Sequence, residues 1–214
     1  MSKEASSRDL PSLRLKPSED RRLKAGHLWV YSNEVDTTKT PLTGFEPGSL
    51  CQLENAQGRP LGVAYVNPHS LISARLLTRQ TKANINVRWF AERLQDALAL
   101  RETVYADGCY RWVYGESDGL PGLVIDRFGD YVVVQLNTAG MEALQAPLLE
   151  AIERVLSPKA IQVRADSSMR GLEGLPSYVS VVKGEWPQVL QLTENGVRFE
   201  APAEGGQKTG WFYD

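Results

Sequence analysis

Hydrophobic and polar positions are arranged differently in the two parts of the chain. Over the first 80 positions the apolar residues come in short alternating or β-branched runs. Leu13-Arg14-Leu15-Lys16 alternates and stops at Pro17, which predicts a short strand. Ser18, followed by Glu19 and Asp20, starts a short helix that Gly26 ends. Leu28 to Tyr31 predicts a strand of aromatic and β-branched residues. After a Thr/Pro/Gly-rich loop over 37–48, Leu50–Leu53 and Leu61–Val66 flank an Asn55–Gly58 turn and predict a hairpin. Leu71 to Leu77 adds a further strand. Many short strands with one small helix predict a small β-barrel.

The period changes at 84–106. Phe90, Leu94, Leu98 and Tyr105 fall on one helical stripe, with Asn84 or Asn86 as cap and Gly108 as terminator. This helix is expected to link two domains. Strands follow at 110–114, 123–126 and 131–137, then an amphipathic helix from Met141 to Leu156, then strands at 160–164 and 178–182. Val189 to Phe199 reads as a hairpin turning at Asn195-Gly196. The expected architecture is mixed α+β: a small barrel, then an α+β sandwich.

Composition narrows the classes. No apolar run approaches the ~18 residues that span a bilayer, and the polar start is no signal peptide. Cys51 and Cys109 lie far from each other and from either histidine, so no metal site is expected and the usage suits a reducing cytoplasm. Net charge is −2 overall, but residues 1–80 hold 11 Lys/Arg against 8 Asp/Glu, while 81–214 hold 13 against 18. A basic front on an acidic remainder allows nucleic-acid contact at the front.

Three stretches carry candidate chemistry. In the first, Arg21, Arg22 and Lys24 are cations for phosphates, Gly26 allows close backbone approach, and Trp29 or Tyr31 can stack on an unpaired base. An equally simple reading makes the aromatics core and the cations a solvated face. His27 fits a turn position better than a base or ligand. In the second, Gly115 to Leu123, three glycines and Pro121 fix a tight loop, and Glu116 and Asp118 are close enough to share a proton or a cation unless they cap loop N–H groups. Gly119 lies between these acids and Pro121. The third, Gln207-Lys208-Thr209-Gly210, is not a P-loop, because Gln207 and Pro202 stand where glycines are required. Three aromatics and Asp214 follow. No G-x-G-x-x-G follows a strand.

Together these stretches resemble the class I S-adenosyl-L-methionine-dependent 23S rRNA cytosine-5 methyltransferases that carry an N-terminal PUA domain. Arg22-Leu23 with Gly26-His27-Leu28-Trp29-Val30, Gly115 to Leu123, and Gln207 to Asp214 match family motifs in order. The residue pattern gives a disordered tail over 1–11 and a linker helix over 81–107; the resemblance implies a PUA-type barrel over 12–80 and an EEHEE-type α+β domain over 108–203. It implies that 204–214 begins a truncated Rossmann-like methyltransferase domain that is otherwise absent. On this basis the parent protein is an enzyme using S-adenosyl-L-methionine, whereas this chain alone is expected to be inactive and to bind no cofactor. Expected RNA contacts are Arg21, Arg22, Lys24, Gly26, His27 and Trp29. Glu116, Asp118 and Gly119 are expected to face the active cleft, and Gln207, Lys208, Thr209 and Asp214 to edge a cofactor or substrate pocket. The implied partner is large-subunit rRNA in the cytoplasm, with no membrane; oligomeric state stays open, a homodimer included. Without the resemblance, a non-catalytic RNA-binding adaptor or a protein-interaction module fits the same residues.

Overall fold

The computed structural model describes residues 10–194 and 196–202. Most of the expected tail, the tip of the last hairpin and all of 204–214 lie outside the described residues.

The first unit is a five-stranded sheet of β1 (Ser12–Arg14), β2 (Trp29–Val30), β3 (Leu50–Glu54), β4 (Pro60–Val66) and β5 (Ala74–Thr78). Their order is β1-β3-β4-β5-β2, with β1 parallel to β3 and the other pairs antiparallel. The β3–β4 turn forms because the Asn55 side-chain oxygen accepts from Gln57 N and Arg59 N. Beyond β2 the chain swings back to β1: Leu15 bridges Val35, and Lys16 N donates to Glu34 O at 2.9 Å. The sheet thereby curls on itself, around a core that includes Leu13, Leu15, Val30, Cys51, Leu53 and Leu76. The short helix α1 (Arg21–Lys24) contributes Leu23 to that core and leaves its cations outside.

Helix α2 (Val87–Glu102) starts where the Asn86 side chain accepts from Trp89 N at 3.1 Å. It buries Trp89, Phe90, Leu94 and Ala97. Tyr105 falls beyond its end and stacks on Tyr110 with ring centroids 5.6 Å apart. The helix is part of the second unit's core rather than a bare connector, since the Trp112 indole donates to Leu94 O.

The second sheet contains β6 (Cys109–Tyr114), β7 (Leu123–Phe128), β8 (Tyr131–Leu136), β9 (Ala160–Ala165) and β10 (Tyr178–Lys183), in the order β10-β9-β8-β7-β6. This corrects the expected EEHEE pattern. Three strands precede the helices, at the positions the residue pattern marks and one more than the EEHEE label allows, and β8 and β9 run parallel across a helical crossover. Such a βαβ unit is the building block of Rossmann-like sheets. The crossover helix is also not continuous. It breaks at Leu144 into α3 (Ala139–Ala143) and α4 (Gln145–Leu156). Pro147 has no N–H to donate to the Ala143 carbonyl and would clash with it, so a new helix starts with Pro147 in its first turn.

The short helix α5 (Met169–Leu172) follows β9. Among the described residues, strands β11 (Val189–Glu194) and β12 (Val197–Pro202) pair only with each other, and they close the face of the sheet opposite the helices through Phe128, Val133, Leu190 and Leu192.

The two units share one core. Tyr65, on β4, is fully buried among second-unit residues. Its hydroxyl donates to Pro121 O at 2.9 Å and meets the Thr138 hydroxyl at 3.0 Å. Its ring fills the space a side chain at Gly140 would need, since a Cβ there would lie 2.1 Å from it.

Candidate functional site

An open cleft of about 910 Å3 lies where the two units meet. The first unit contributes Trp29 and Tyr31 from β2 and its exit, and His69 to Ile72 from the β4–β5 connection. The second contributes Tyr114 to Ser117, the start of β7, Gln135 from β8 and Asn137 just after it, and Ser167, Met169, Leu172 and Glu173 around α5.

Two of the expected stretches touch in this cleft. Trp29 Nε1 donates to Glu116 Oε1 at 2.7 Å across 87 positions of sequence. Trp29 is 38% exposed and Glu116 is exposed, so the indole is oriented without being hidden. The exposed rings of Trp29 and Tyr114 stand on opposite units of the same mouth.

Asp118 is placed differently. Its carboxylate takes both Arg101 guanidinium nitrogens, at 2.6 and 2.7 Å, and accepts from Tyr114 N at 2.6 Å. It holds the 115–118 turn to the end of α2, and Glu116 is engaged with Trp29. The two acids therefore do not share a proton. Among the described residues no group of three or more His, Cys, Asp or Glu is set to hold a metal ion. Gly119 caps the turn with φ +68° and lines a separate groove of about 390 Å3, beside Leu28, Arg79 and Arg93.

The cations of α1 divide into anchored and exposed. Arg22 donates to Trp29 O at 3.1 Å, pairs with Glu34 at 3.4 Å and lies 4.9 Å over the Tyr31 ring. Arg21 donates to Ser18 O, and Lys24 pairs with Asp20 at 2.6 Å. Gly26 has φ +110°, with open space where a side chain would project, and His27 is exposed. Gln207, Lys208, Thr209 and Asp214 lie outside the described residues.

Sequence reasoning did not single out the polar base of the cleft. Glu173, next to α5, is 5% exposed, and its carboxylate draws groups from both units. Arg75 Nη1 donates to it at 3.0 Å, Asn67 Nδ2 at 2.8 Å, Ser70 Oγ at 3.2 Å and Ala139 N at 3.3 Å. The signal was hidden because an acid in a Gly-flanked turn looks like a surface residue.

Comparison with known proteins adds three findings. Residues 13–79 match the family described as PUA-like domain. The ribosomal RNA large subunit methyltransferases I of Erwinia tasmaniensis and Vibrio cholerae are 36% and 34% identical to 94% and 95% of this chain. Among solved structures, a putative SAM-dependent methyltransferase from Streptococcus mutans aligns with TM-score 0.75 at 19% identity, over 95% of this chain and 51% of its own. A putative methyltransferase complexed with SAH aligns with TM-score 0.76 over 95% of this chain and 50% of its own.

These matches correct three expectations. A methyltransferase fold absent or only begun does not agree with a shared fold over 95% of the chain, five-stranded mixed sheet included. An inactive chain does not agree with similarity to methyltransferases along nearly its whole length. The expectation that no cofactor binds gives way to a neighbour of the same fold that holds SAH. The chain spans about half the length of the curated relatives it matches, 51% for each of the two named. It carries a PUA-like domain and is homologous to the ribosomal RNA large subunit methyltransferases I.

Proposed function

We propose that this chain acts in S-adenosyl-L-methionine-dependent methylation of large-subunit rRNA, and that the cleft between its two units receives the RNA. The observation that carries this reading is the Trp29–Glu116 bond, which fixes an exposed indole at the mouth of a cleft shared by a PUA-like unit and a methyltransferase-like sheet. An indole oriented this way can stack on an unpaired base with little further loss of side-chain freedom. Arg21, Lys24, Gly26 and His27 lie exposed on the same unit and would meet phosphates, with Arg22 holding that surface in shape. The target atom, cytosine C5, rests on the motif resemblance.

The residues of the cleft fit an adenosyl group as well. Val124 offers apolar contact beside the amides of Gln135 and Asn137, and the volume is in the range of small-molecule sites. These residues would hold the donor, which when bound supplies an electrophilic methyl group. The chain's own part is to orient a base and keep water from its face.

The test is binding of a 23S rRNA fragment across a salt series, with parallel calorimetry of SAH. Phosphate contact predicts a log–log slope of about −0.7 to −0.9 per neutralised phosphate. Trp29→Ala should weaken binding by about 5- to 150-fold, the cost of one lost base stack. RNA binding that ignores salt and survives Trp29→Ala unchanged overturns the reading.

A further inference from the structure

Tyr114, Val124 and Gln135 form a cross-strand row, since Tyr114 pairs with Val124 on β6–β7 and Val124 with Gln135 on β7–β8. All three line the cleft. Two positions on from Gln135 along the chain, Asn137 lines it too. The Gln135 side chain is unusual here. The residue is 7% exposed, and among the described residues its amide makes no hydrogen bond; its polar atoms are reached from the cleft rather than sealed off. Its neighbour is half committed: Asn137 Oδ1 accepts from Ser167 Oγ at 2.6 Å, which leaves the Asn137 NH2 as a donor.

An amide that bonds to no protein group but is reached by solvent in a cleft can exchange its water for a ligand at small cost. An amide offers one donor edge and one acceptor edge, the pattern that reads an amino-bearing heterocycle in two bonds. Beside it, Val124 and the exposed ring of Tyr114 supply a flat apolar wall against which such a ring can lie.

We infer that Gln135, with Asn137 as a second donor, forms a base-reading subsite on the cleft floor that takes the hydrogen-bonding edge of an amino-bearing aromatic base. Two ligands carry that chemistry: a cytosine of the RNA, and the adenine of the methyl donor. The subsite rests on the cleft assignment proposed above. It deepens that assignment by naming the groups that choose the base.

Gln135→Leu separates the possibilities, because replacing an unpartnered amide by an apolar group of similar volume is not expected to unfold the protein. The full chain and this variant would be titrated with a short single-stranded RNA bearing a central cytidine, with the same RNA abasic at that position, and with SAH. Melting temperature would be followed in parallel.

The subsite predicts a melting temperature equal to or above wild type, together with a selective loss. A loss of about 5- to 150-fold in cytidine-RNA affinity, with abasic-RNA affinity intact, assigns the floor to the RNA base. A comparable loss confined to SAH assigns it to adenine. Unchanged affinity for both, while wild type still binds RNA through Trp29, overturns the subsite and leaves the cleft assignment standing. Wild type binding neither RNA nor SAH overturns both.

Discussion

Trp29 and Glu116 meet by a single 2.7 Å hydrogen bond that joins the PUA-like unit to the turn after β6. A charged acceptor makes this contact stronger than a neutral one, although its exposure limits what it adds to stability. Trp29→Phe keeps an aromatic face and removes the donor, while Glu116→Ala removes the acceptor. In a double-mutant cycle read by RNA affinity the two changes should couple by about 0.5–1.5 kcal/mol. Strict additivity would show that the bond does not orient the indole for binding.

The Tyr65–Gly140 contact sets a second expectation. A Cβ at Gly140 would lie 2.1 Å from the Tyr65 ring, and α3 cannot back away without disturbing the sheet on which it packs. Gly140→Ala should lower unfolding free energy by about 1–3 kcal/mol through overpacking. Tyr65→Phe should cost about 1 kcal/mol, because it leaves the buried Pro121 carbonyl without its donor. Urea denaturation of each variant measures both.

Arg75 and Glu173 form a buried pair whose side chains are 7% and 4% exposed. Removing one partner strands the other. Glu173→Leu should therefore destabilise by about 3–5 kcal/mol, and adding Arg75→Met should recover a large part of the loss. If the double variant is no more stable than the single one, the loss lies in the other donors to this carboxylate rather than in the stranded arginine. The Asn67 and Ala139 donors would then be the ones that suffer.

Asp126 gives a pH dependence with a definite sign. Complete burial raises its carboxyl above the ordinary 3.8, against the opposing effect of Arg111. A folded-state value above the unfolded one means that this group favours folding most below pH 3.8, and that the contribution declines as pH rises through the higher folded-state value. Asp126→Asn should flatten stability against pH in that window. An unchanged profile, measured by thermal melts from pH 3 upward, contradicts the assignment.

Local chemistry made part of this architecture legible in the sequence. Asn86 capping α2 and the Asn55 turn between β3 and β4 both act within five residues, so they can be read from spacing alone. Relationships made over distance could not be read this way. β1 pairs in parallel with a strand 40 positions later, as Ser12 with Gln52, and short parallel pairing leaves no periodic trace. The break at Leu144, ahead of Pro147, was masked by an apolar stripe that persists across it. In the cleft, Glu116 and Asp118 look equivalent in sequence, and only Arg101 on the far end of α2 separates them. Gln135 reads as an ordinary polar residue of a strand until its neighbours are known.

The packing of Tyr65 beneath Gly140 has one more consequence. Because a first-unit side chain is a structural member of the second unit's interior, neither half can swing independently to admit a ligand. The opening is a jig of set gauge, so under the function proposed above discrimination would fall to the guest bending to it.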